Sequence, residues 1–83
     1  MKYIAEIDVM PKKGLLDPQG KAVSQSMGNI GLNQIGDVRI GKHISLELEA
    51  ANESDANNAV KKACDDLLAN PIMESYTFSI SPA

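Results

Sequence analysis

The chain has little of what usually marks a catalyst or a nucleic-acid binder. Its 83 residues include no tryptophan, two tyrosines, one phenylalanine, one cysteine and one histidine. A lone cysteine, Cys64, cannot close an internal disulfide and cannot supply a thiolate metal cluster. Cations are also few, 8 Lys and Arg against 11 Asp and Glu, for a net charge of −3. Binding to nucleic-acid duplexes rests on a basic face that neutralises phosphates, and here the basic residues are scattered. Tyr3, Tyr76 and Phe78 are too few for a base-stacking platform, so no nucleic-acid partner is expected. The apolar runs are too short to span a membrane. The N-terminus alternates as a strand and does not read as a charged stretch, apolar run and cleavage site, so neither a signal peptide nor a membrane partner is expected. A single reduced thiol fits a cytoplasmic protein.

The length allows one domain, 1–83. A domain this small buries only ~60% of the surface its unfolded chain exposes. With disulfides and metal clusters excluded, self-association is the remaining way to complete the core.

What is present is clear periodicity. In YIAEIDVM (3–10), Tyr3, Ala5, Ile7 and Val9 share one face against Glu6 and Asp8, the pattern of a strand with one buried side. Asp17 then offers an N-cap and Pro18 suits the first helical position, where a missing N–H costs nothing. Ala22, Val23, Met27 and Ile30 follow at helical spacing, and Gly31 is placed to terminate, giving a helix over 18–30. Gly28 weakens this helix by up to ~1 kcal/mol relative to Ala. A second helix is marked by Ala56, Ala59, Val60, Ala63, Cys64, Leu67 and Leu68 on one stripe, with Ser54 or Asn52 as cap and Asn70-Pro71 as stop. A last strand, 74–81, points Tyr76, Phe78 and Ile80 inward.

The segment 36–50, GDVRIGKHISLELEA, decides the topology. Val38, Ile40, Ile44, Leu46 and Leu48 all share one parity. A two-residue turn at Gly41-Lys42 would put His43 on the core face and send Ile44, Leu46 and Leu48 to solvent. A three-residue loop over 41–43 keeps the parity and gives a closed β-α-β-β-α-β ferredoxin-like sandwich. An uninterrupted strand keeps it too, at about 50 Å for fifteen residues. That exceeds a monomer with a radius of gyration near 12 Å. The strand would have to be shared between two chains in a swapped dimer, β-α-β-α-β. The parity and a bend at Gly41 favour this α+β, ferredoxin-like-related arrangement, with Arg39, Gly41, Lys42 and His43 at the crossover as candidate dimer or subunit-interface residues.

No catalytic constellation emerges. His43 has only Lys42 and Ile44 beside it and no carboxylate to orient it, so a solvated or interface histidine is the better reading. Cys64 lies on an apolar stripe with nothing in sequence to lower its pKa. Asp55, Asp65 and Asp66 fall on a wet helix face. Gly28-x-x-Gly31 closes a helix, whereas phosphate loops open one. Lys12-Lys13-Gly14 reads as a solvated basic turn. No catalytic, cofactor-binding or metal residue is assigned.

Three stretches, GLLDPQGKAV (14–23), VRIGKHISLELE (38–49) and CDDLLANPIMESYTFSI (64–80), together resemble the PurS family, the small subunit of phosphoribosylformylglycinamidine synthase. His43 stands where the family commonly has Tyr, and Gly28 is unusual within the first helix. The resemblance implies a non-catalytic subunit acting at the fourth step of purine biosynthesis. It would join a glutaminase subunit to a large synthetase subunit and assist ammonia transfer between them. ATP and magnesium would belong to the synthetase subunit, with no cofactor in this chain, and the subunit would be a homodimer or tetramer. The competing readings are a dimeric ferredoxin-like small-molecule sensor and a small enzyme using His43 and Cys64.

Overall fold

The computed structural model describes residues 1–15 and 17–83. The elements are β1 (Lys2–Pro11), α1 (Pro18–Asn29), β2 (Lys42–Glu49), α2 (Glu53–Ala63), a π-helical turn (Cys64–Leu68) and β3 (Glu74–Pro82). The three strands form one antiparallel sheet in the order β2-β1-β3.

β1 is central because it carries the cleanest alternation. Tyr3, Ala5, Ile7 and Val9 are all buried. Opposite them, β2 presents Leu48, Leu46 and Ile44, and β3 presents Ile80, Phe78 and Tyr76. α2 closes this face with Ala56 and Val60, and Cys64 and Ala69 complete the core. Full burial of a side chain such as Ile7 or Val60 contributes about 1.5–3 kcal/mol. Tyr76 and Phe78 stack with ring centroids 6.2 Å apart.

The caps agree with the sequence. Asn52, not Ser54, caps α2, its Oδ1 accepting from the Asp55 amide at 2.9 Å. α1 ends in a Schellman motif: Gly31 has φ +85°, its amide donates to the Gly28 carbonyl, and the Leu32 amide donates to Met27.

Two expectations are corrected. The stripe of the second helix does not run straight to Leu68. The Ala69 amide bonds to the Cys64 carbonyl, one residue wider than an α-turn, and the extra residue rotates the end of the helix out of phase with the stripe. Leu67 is turned out to solvent, 82% exposed, while Ala69 takes the buried place. The strand expected over 36–50 is confined to Lys42–Glu49. Residues 36–41 leave the β1 edge beyond the Val9–Lys42 pair and join no strand of their own chain. They do not pair with 44–46, so the closed four-stranded alternative is not formed either.

α1 stands off the sheet. Only Gly20 of its residues is buried, and Ile30 is 70% exposed. The outline is correspondingly long, 51 × 26 × 14 Å, with a radius of gyration of 16.5 Å. No helix among the described residues is long and apolar enough to cross a membrane.

Candidate functional site

Four of the residues singled out by sequence, Asp17, Pro18, Arg39 and Gly41, lie where the chain passes from α1 back to the end of β1. Asp17 is the joint. Its extended backbone (φ −118°, ψ 90°) starts α1, with Pro18 in the first turn. One carboxylate oxygen accepts from the Gly20 amide at 3.0 Å, and the other accepts from the Ile40 amide at 3.0 Å. The cap thus does two things: it satisfies an orphan helix donor and it pins the helix start to the crossover segment. These amides, Gly20 first and Ile40 second, hold the Asp17 carboxyl below its usual range.

The close approach needs glycine. A β-carbon on Gly20 would overlap the Val38 carbonyl oxygen and sit 2.7 Å from an Asp17 carboxylate oxygen. Gly41 fills the same need at the other end of the crossover, where a β-carbon would collide with the Val9 carbonyl and the Met10 sulfur. Between them, the Arg39 guanidinium donates to the Pro11 carbonyl, tying the segment to the end of β1. Ser24 Oγ donates to the Gly36 carbonyl at 2.7 Å. Arg39, Gly41, Asp17 and Pro18 therefore form one structural joint. Lys42 opens β2 opposite Val9, with its side chain exposed.

His43 belongs to a different surface. The antiparallel register places Asp8 directly across from it and Glu6 across from Ser45, all on the face of the sheet away from α2. His43 Nδ1 lies 2.7 Å from Asp8 Oδ1 and Nε2 lies 2.5 Å from Glu6 Oε2. Ser45 Oγ donates to the other Glu6 oxygen at 3.0 Å. With a carboxylate on each ring nitrogen the imidazolium form is favoured, and the His43 pKa is raised, through Asp8 first and Glu6 second. His43 and Ser45 in turn lower that of Glu6. Sequence neighbours gave no hint of these partners. The available signal was the wet-face pair Glu6 and Asp8 one strand away, which acts only once the register is known.

Cys64 is fully buried, and its thiol pKa is pushed up by burial and then by Asp65. Asp65 accepts from the Tyr76 hydroxyl at 2.7 Å and from Lys61 at 3.2 Å. The Tyr76 pKa is raised to about 12 by that carboxylate. This link between the π-turn and β3 was also invisible to periodicity. No group of three His, Cys, Asp or Glu side chains able to hold a metal occurs among the described residues.

A sequence model of the family described as PurS, phosphoribosylformylglycinamidine (FGAM) synthase, matches residues 4–82. The chain belongs to the PurS family. It is 40% identical over 79 residues to phosphoribosylformylglycinamidine synthase subunit PurS of Synechocystis sp., covering 95% of this chain and 79% of that one. With the Bacillus subtilis PurS subunit it shares 37% identity over 78 residues, 94% of this chain and 92% of the other. Among solved structures, B. subtilis PurS in its C2 crystal form superposes with a TM-score of 0.86 at 37% identity, covering 95% and 98% of the two chains. A chain in the structure of PurLQS from Thermotoga maritima superposes with a TM-score of 0.88 at 33% identity, covering 98% and 99%. The Asp17-Pro18-Gln19-Gly20 stretch that carries part of the PurS resemblance is, in physical terms, the cap and close-approach joint at the start of α1.

Proposed function

We propose that this chain is the small, non-catalytic subunit of phosphoribosylformylglycinamidine synthase in purine biosynthesis. In this reading it joins the glutaminase subunit to the large synthetase subunit and assists ammonia transfer between them, in the cytoplasm. ATP and magnesium belong to the synthetase subunit. The observation that carries the reading is family membership over residues 4–82, with a chain of the PurLQS structure superposing on nearly the whole length. The site chemistry supports it. His43 has both nitrogens engaged by carboxylates, and the Cys64 thiol is buried with a raised pKa. Neither is set up as a base or nucleophile.

The same reading includes a homodimer, which can pair further into a tetramer. α1 presents Ala22, Val23, Met27 and Ile30 along one groove. Residues 36–41 have no strand partner in their own chain. The radius of gyration of 16.5 Å exceeds the roughly 12 Å of a compact chain of this length. A second copy, exchanging its α1 and crossover segment, would cover these surfaces.

Reconstitution tests the proposal. The glutaminase and synthetase subunits should convert formylglycinamide ribonucleotide with glutamine only when this chain is added. Full glutamine-dependent activity without it would overturn the proposal, as would glutamine or ATP hydrolysis by the chain alone.

A further inference from the structure

A cavity of about 470 Å³ lies between the β1–α1 loop, α1 and the crossover segment. Its charged lining is Lys12, Lys13, Lys21 and Arg39, with Asp17 and Asp37. Half of the chain's 8 Lys and Arg residues therefore surround one hollow, alongside only 2 of its 11 carboxylates. Both oxygens of Asp17 are already taken by the Gly20 and Ile40 amides. In an acidic protein this is a marked segregation of charge. Of the four cations elsewhere, Lys61 and Lys62 sit in i,i+4 pairs with Asp65 and Asp66, while Lys2 and Lys42 stand apart from one another at opposite ends of the β1–β2 pairing.

The cations are also held in place. Lys12 Nζ donates to the Pro71 carbonyl at 2.8 Å, and the Arg39 guanidinium donates to Pro11. Each keeps further N–H donors for a ligand. Lys13 and Lys21 have no ion-pair partner among the described residues. Two anchored and two uncommitted cations suit a multi-oxygen dianion better than a single carboxylate. The volume exceeds the needs of a bare phosphate and falls within the range of small-ligand cavities. Among the described residues the lining includes no aromatic ring on which a base could stack.

We propose that this cavity binds a compact phosphate ester, of the sugar-phosphate class, through Lys12, Lys13, Lys21 and Arg39.

The test is calorimetric titration of the full chain at low salt with ribose 5-phosphate, ribose, inorganic phosphate and AMP. The expected result is one ribose 5-phosphate per chain, weakened by added salt. Ribose should show no binding, and inorganic phosphate should bind more weakly than the ester. AMP should gain nothing from its base. Lys13→Gln with Lys21→Gln should weaken binding about tenfold or more, since two charge-assisted contacts are lost. Lys61→Gln with Lys62→Gln should leave it unchanged. Amide shifts on addition of ribose 5-phosphate should map to Lys13, Gly14, Lys21 and Arg39 in the unmodified chain, which keeps the test valid if the double variant is unstable. Absence of ribose 5-phosphate binding overturns the proposal, as does equal binding by ribose or shifts confined to other residues. Failure of the Lys13/Lys21 variant to assemble with the catalytic subunits, in a chain that binds no phosphate ester, would instead make the hollow a docking point for an acidic protein surface and also overturn it.

Discussion

Gly20 and the carbonyl oxygen of Val38 approach so closely that no β-carbon fits between them. The first turn of α1 and the crossover segment are in backbone contact, and the Asp17 carboxylate is bonded to both. Gly20→Ala gains helix propensity, up to ~1 kcal/mol, but must force the two backbones apart. Such overpacking typically costs about 1–3 kcal/mol. Net destabilisation in urea titration is expected at Gly20. Gly28→Ala, whose β-carbon would meet only the Asn33 side chain at 3.4 Å, should be neutral or stabilising.

Asp17→Ala should lower the melting temperature by roughly 4–8 °C at neutral pH, the usual scale for a lost cap in a domain this size. The folded-state pKa of Asp17 is depressed below its usual 3.8. Its contribution is therefore fully present above pH 3.8 and is lost as pH falls through the lower folded value. The gap between Asp17→Ala and the unmodified chain should close in strong acid, as thermal melts at a series of pH values would reveal.

His43 titrates in the opposite sense. Its folded pKa is raised above 6.5, so its stabilising contribution is fully present below pH 6.5 and is lost as pH rises through the folded value. The NMR titration of its ring protons should have a midpoint above 6.5. Asp8→Asn should lower that midpoint, and Glu6→Gln should lower it less. A midpoint unmoved by either change would mean that the two carboxylates do not hold the ring in solution.

Cys64 should react slowly with thiol reagents at neutral pH, at a rate set by opening of the fold. Cys64→Ser should destabilise by on the order of 1–3 kcal/mol through a poorly paired buried hydroxyl, without blocking complex assembly. Rapid labelling of the native chain would contradict the burial.

Met27→Glu places a charge in the middle of the α1 groove. If a second copy covers that groove, self-association should weaken by at least ~tenfold in sedimentation velocity. Far-UV circular dichroism should show the strands retained, because the α2-side core does not include Met27.

The alternations in β1 and β3 and the stripe of α2 were legible because burial on one face writes a period into the residues. Asp17 as cap and Gly31 as terminator were legible for a similar local reason: each answers a backbone group within three residues. Three things were not. The π-turn at Cys64–Leu68 replaces one local hydrogen bond by another and leaves no mark on residue type, so the stripe alone predicts Leu67 inward. The strand boundary at Lys42 depends on where β1 ends as a partner, a matter of pairing and not of parity. The His43 cluster joins residues 35 and 37 positions apart and exists only through register.

β1 is paired on both edges by strands that lie far downstream: Tyr3 faces Leu48 on one side and Pro82 on the other. During synthesis β1 is thus made before either of its partners. At about 5–20 residues per second, Tyr3, Ala5, Ile7 and Val9 wait roughly 4–16 s for the second partner. β2 can cover one edge earlier, but even its nearest pair, Val9 with Lys42, closes a long loop and not a tight hairpin, and such long-range pairing slows folding. Glu6 and Asp8, interleaved with the apolar residues, keep this nascent strand charged while it is bare. Until β2 is made they act as gatekeepers against aggregation, before either has met His43.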